Sequence, residues 1–122
     1  MPRYLRPILL MTALMAARAL HGQYFNLSFR NYSSPEGLAN SEVKCAFQDS
    51  SGLMWVGTTF GLSRFDGQKF TNFFHDRKDQ NSIGQDQVVD IRQVRRGRLW
   101  IAFDNLFGEL DPFTSRYRNH SL

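Results

Sequence analysis

One spacing occurs twice in this chain: glycine, two residues, tryptophan, ten residues, aspartate. It runs through Gly52, Trp55 and Asp66 and again, 45 positions later, through Gly97, Trp100 and Asp111. The two copies align without a gap from Val43 on Val88 to Asp66 on Asp111, with Gln48 meeting Gln93 between them. Apolar character is kept at Met54 and Leu99, Val56 and Ile101, and Phe65 and Leu110, while Leu38 and Ile83 hold equivalent places upstream. Beyond Asp111 the register slips by two, because Phe70 matches Tyr117; a turn of different length explains this. A repeat at this period restricts the chain to architectures built from stacked units that share a core.

Within each unit the local signals are those of short strands. Val43, Cys45 and Phe47 alternate with Lys44, Ala46 and Gln48, the two-residue period of a half-buried strand. Asp49-Ser50-Ser51-Gly52 supplies a hairpin turn, with a carboxylate to accept turn amides and a glycine for positive φ. Leu53–Thr58 follows, anchored by Trp55; Gly61 permits a reversal, Leu62–Phe65 forms a third strand, and Asp66-Gly67 turns the chain into Lys69–Phe74. In the second copy Val94 replaces the turn aspartate, so that hairpin relies on Gly97, and Pro112 replaces Gly67. Asp90 and Arg92 stand where Cys45 and Phe47 stood, which leaves open the direction in which that strand faces. An innermost strand lining a polar central channel is one reading of it. Four strands per unit predict an all-β fold of two four-stranded antiparallel β-propeller blades, about residues 38–74 and 83–118. A single β-sandwich has no need of the same spacing twice. Rings of blades need about four to eight units, so two blades are an incomplete propeller.

The first residues read differently. Arg3 and Arg6 precede an apolar run, Pro7 to Ala17, too short to span a bilayer, and small residues follow. This layout predicts an export signal over residues 1–22, cleaved after Ala19 or Gly22; a short buried helix or a membrane anchor is the alternative. The signal changes the meaning of the charge. The chain carries 15 basic and 11 acidic side chains, but three arginines and no acid precede Gly22, so 12 cations face 11 anions in residues 23–122. A nucleic-acid partner loses its electrostatic support. The single Cys45 can form no internal disulfide and is expected as an inert, buried thiol.

Leu38 to Phe73 resembles the two-component regulator propeller repeat. Gly37-Leu38, Ser41, Val43, Gln48-Asp49, Gly52, Trp55, Gly57-Thr58, Gly61-Leu62, Phe65-Asp66-Gly67, Phe70 and Phe73 follow that pattern in order. The second copy departs at Val94, Phe103 and Leu106-Phe107 but keeps Gly97, Trp100-Ile101-Ala102 and Asp111-Pro112. The resemblance implies the leading blades of a periplasmic sensor propeller in a hybrid two-component receptor, with other blades or protomers as partners and an oligosaccharide as the ligand class. It places membrane attachment and kinase activity downstream of these residues. A secreted polysaccharide hydrolase or lyase, or a remnant of a broken sensor gene, is the alternative.

No residue pattern here calls for catalysis, a cofactor or a metal. His21, His75 and His120 are scattered and read as solvated surface residues. Asp66 and Asp111 occupy the same repeat position, which fits turn capping better than an acid and base pair. Trp55 and Trp100 sit among apolar neighbours and are expected in the core. The basic group Arg92, Arg95, Arg96 and Arg98 surrounds a hairpin tip and reads as solvated, with an acidic sugar or a partner blade as the alternative contact.

Overall fold

The computed structural model describes residues 3–4, 27–95 and 97–120. The chain divides into a unit of residues 1–30 and a unit of residues 31–122. In the first, Arg3 and Tyr4 lie in a turn and residues 27–30 have no regular secondary structure. The rest of the expected signal, both cleavage positions and His21 lie outside the described residues.

The second unit opens with a single 3-10 turn, Ser34–Glu36, and then contains eight strands. β1 (Val43–Gln48), β2 (Met54–Thr58), β3 (Gly61–Phe65) and β4 (Phe70–Phe73) form one sheet; β5 (Asp90–Arg95), β6 (Arg98–Ala102), β7 (Phe107–Asp111) and β8 (Arg116–His120) form the other. In both, every strand pairs antiparallel with its sequence neighbour. The fold is all-β, as the repeat implies.

Register carries the repeat into three dimensions. Phe47 pairs with Trp55 and Trp55 with Arg64; 45 residues on, Arg92 pairs with Trp100 and Trp100 with Glu109. Phe65 pairs with Phe70, whereas Leu110 pairs with Tyr117, so the two extra residues lie in the β7–β8 turn. The β5–β6 hairpin runs one pair further than its counterpart, to Arg95 and Arg98, with a register shift that leaves Val94 unpaired. Where Asp49 closes the first hairpin, Val94 sits in a bulge and is exposed.

Alternation gives each sheet two faces. Cys45, Phe47, Trp55, Leu62 and Phe73 lie on one face of the first sheet, opposite Ile91, Leu99, Ile101 and Leu110 of the second, and together they form the shared core. Trp55, Leu62, Leu99, Ile101 and Leu110 are wholly buried. Each such side chain contributes about 1.5–3 kcal/mol through burial. The sheets approach most closely where β5 meets β1 and β2. They are therefore wedged, closest at one edge, as blades around an axis are.

The segments entering the sheets are both anchored by a buried residue: Leu38 precedes Ala39, whose amide donates to Ser63 Oγ at 2.9 Å on the far face of the first sheet, while Ile83 joins the shared core. Val88 N donates to Thr58 O at 3.0 Å, joining the linker to the first sheet. Gly57 makes that junction possible. A Cβ there would lie 2.5 Å from Cys45 Sγ and 2.6 Å from Val88 Cγ1.

Two features of the first strand differ from the alternation argument. Val43 is 49% exposed, because it stands at the end of β1 beside a register irregularity. Cys45 is half-buried rather than enclosed, and burial still pushes its thiol above the ordinary value.

Candidate functional site

The aspartates and glycines of the repeat build one end of the two sheets. Asp49 Oδ1 accepts from Ser51 N at 2.9 Å, Ser51 Oγ at 2.6 Å and Leu53 N at 3.1 Å. Its Oδ2 accepts from Trp55 Nε1 at 2.8 Å, so one buried carboxylate closes the turn and satisfies the core indole. Burial pushes the Asp49 carboxyl up, but hydrogen bonds from Ser51, Trp55 and the Leu53 and Ser51 amides outweigh it, and the net shift is downward. Asp66 Oδ1 accepts from the Gln68 and Lys69 amides, both at 2.9 Å. Asp111 Oδ1 accepts from Phe113 N at 2.9 Å, while its Oδ2 lies 3.1 Å from Arg98 Nη1. These are capping geometries. Gly52, Gly61, Gly67 and Gly97 all have positive φ and stand in or beside these reversals.

The two tryptophans have different surroundings. Trp55 is stacked on Phe73 with ring centroids 5.8 Å apart and carries the Arg64 guanidinium 5.8 Å from its centroid. Trp100 lies on the face of the second sheet that points away from the first. It is half-buried rather than core, and stacks on Phe107 at 5.2 Å and His120 at 4.9 Å. The sequence places both in equivalent strands, but burial depends on what covers the strand, and among the described residues a second sheet covers Trp55 and none covers Trp100. His120 is thereby a stacked residue, not a solvated one. Asp90 and Arg92 lie on this same open face, paired with each other at 3.1 Å. That settles which way β5 faces.

The basic tip is also less bare than the sequence suggests. Arg95 lies 3.1 Å from Glu109, and Arg98 contacts both Glu109, at 3.7 Å, and Asp111. The Arg95 hydrogen bond is the largest influence on the Glu109 carboxyl and holds it below the usual range. The acids come from β7, which is next to β6 and two strands from β5, so a one-dimensional count of positive charge misses them. Arg96 lies outside the described residues. Among the described residues no three His, Cys, Asp or Glu side chains converge as a metal ion requires, and no helix is long and apolar enough to cross a membrane.

Side chains of the repeat also join the sheets. Ser50 N donates to Gln93 Oε1 at 2.8 Å and Gln93 Nε2 donates to Ser50 Oγ at 2.9 Å. Arg64 Nη1 donates to Pro112 O at 3.0 Å. Arg64 shares its strand face with Leu62, and that charge among inward positions was the available sign of such a role.

Residues 37–60 match the family model described as Two component regulator propeller. That match lies on β1 and β2 of the first sheet, and the second sheet keeps the same glycine, tryptophan and aspartate spacing with departures at Val94 and in the β7–β8 turn. Among curated proteins, Histidine kinase P4 of Formosa agariphila is 37% identical over 67 residues, 55% of this chain and 5% of that protein. Among solved structures, the extracellular domain assigned to the hybrid two component system BT3049 of B. thetaiotaomicron superposes with a TM-score of 0.67 at 22% identity. That match covers 75% of this chain and 13% of the solved one. The repeats thus correspond to a small part of each of these longer proteins.

Proposed function

We propose that this chain contributes two consecutive blades to the extracellular, periplasmic sensor propeller of a two-component receptor, exported by residues 1–22 and recognising an oligosaccharide. The observation that carries the reading is the head-to-tail stacking of two units with the sensor-repeat spacing, one buried against the next through Trp55. The sheets are wedged as blades are, and the named relatives are described as a histidine kinase and as the extracellular domain of a hybrid two component system. In this reading the repeats are a recognition surface without catalysis of their own, and kinase activity belongs to another region of the receptor. Ligand binding changes how blades and following domains pack between protomers, and that change crosses the membrane.

The coding DNA downstream tests this directly. The expected result is an in-frame continuation through further Gly-x-x-Trp repeats into a membrane-spanning segment and a histidine kinase. A glycosidase catalytic domain in that position would overturn the proposal.

A further inference from the structure

The β7–β8 turn differs from its counterpart in three ways that belong together. It carries the two extra residues of the second repeat, it contains Ser115, the one non-glycine residue with positive φ (59°) among those described, and it presents Phe113 with 83% of its surface exposed. A large exposed aromatic in a small domain is the informative departure from ordinary burial. This one is also held in place. Asp111 Oδ1 accepts from both Phe113 N and Thr114 N, and Arg64 of the first sheet donates to the preceding Pro112 carbonyl.

Phe113 borders a cleft of about 360 Å³ between the ends of the two sheets. Asp49, Ser50 and Ser51 form one wall; Gln93, Gly97 and Leu99 form the other. Gly97 lies beside the ring, where an added Cβ would stand 3.3 Å from Phe113 Cε2. A glycine so placed keeps the wall next to the aromatic bare. The volume falls at the small end of ligand clefts, about 300–1,000 Å³.

We infer that this cleft is a sugar-binding subsite in which Phe113 is the platform for one pyranose ring. The C–H face of a pyranose bears slight positive charge and is attracted to the negative face of an aromatic ring. Ser50 and Gln93 bind each other and Ser51 donates to Asp49, which leaves the Ser50 hydroxyl proton, the second Gln93 amide proton and the Ser51 Oγ lone pairs for the hydroxyls at the ring's edge. Asp49 has both oxygens engaged by the turn and the indole, so it supports the wall and does not hold the sugar. The inference rests on the oligosaccharide reading above and adds the place and the residue.

The test is amide shift mapping by NMR on the 122-residue chain, with cellobiose, xylobiose, laminaribiose and maltose each at millimolar concentration. The expected result is that at least one disaccharide shifts the amides of Ser50, Gln93, Gly97 and Phe113. Phe113→Ala then weakens that binding by about tenfold or more, as loss of an aromatic anchor does. Phe60→Ala, at an exposed aromatic outside the cleft, leaves it unchanged. Shifts that map elsewhere and ignore Phe113→Ala would overturn the cleft while leaving a carbohydrate sensor standing. Absence of shifts with all four sugars would overturn the cleft, and the downstream DNA would still decide the sensor reading separately.

Discussion

Asp49 links two levels of the molecule, because the oxygen that closes the hairpin and the oxygen that holds the Trp55 indole belong to one side chain. Asp49→Ala leaves a buried indole N–H without a partner, and urea denaturation should register a loss of about 1–3 kcal/mol. The carboxyl is held below its ordinary value of 3.8, so its contribution is fully present above that pH and is lost as pH falls through the lower folded value. The acid limb of a stability titration should therefore flatten in Asp49→Asn; an unchanged limb would assign the effect to other groups. Gly57 carries the opposite lesson. Its Cβ would meet Cys45 and Val88, so Gly57→Ala should lower stability by about 1–3 kcal/mol in thermal melts through overpacking. The turn role of Asp49 was legible from its place before Ser-Ser-Gly. Its bond to Trp55 was not, since it requires the hairpin to fold six residues back, and the tightness at Gly57 depends on Val88, 31 positions away.

At the level of elements, strands were legible to within a residue or so, because alternation and turn residues both mark them. The two-residue slip was legible as a turn of changed length, and the pairing of Leu110 with Tyr117 locates it between β7 and β8. The Val94 bulge was not legible: loss of an aspartate says that a cap is missing but not how the hairpin closes without it. Nor was the use to which the longer turn is put. Replacing Pro112–Ser115 by the Gly-Gln of the first repeat's turn should leave the circular dichroism spectrum unchanged. It removes the Arg64 contact to Pro112, and the transition midpoint in urea should reflect a loss of about 0.5–1.5 kcal/mol. A protein that fails to fold would show that the turn is a structural staple.

For the whole molecule the central observation is direction. The first sheet gives its Trp55 face to the second, and the second holds out the equivalent face, with Trp100, Phe107 and His120, uncovered among the described residues. The sequence could state that the units are equivalent but not that their faces have different neighbours, since burial is a property of the stack. Exposed edges and an open aromatic face should leave two such sheets alone only marginally stable. Acrylamide quenching of tryptophan fluorescence, measured on Trp100→Phe and Trp55→Phe chains, tests this stacking most directly. Trp55, left alone in the first variant, should be protected, and Trp100, left alone in the second, should be quenched more strongly. Equal protection of both, or equal exposure of both, would contradict a head-to-tail pair of blades with one open face.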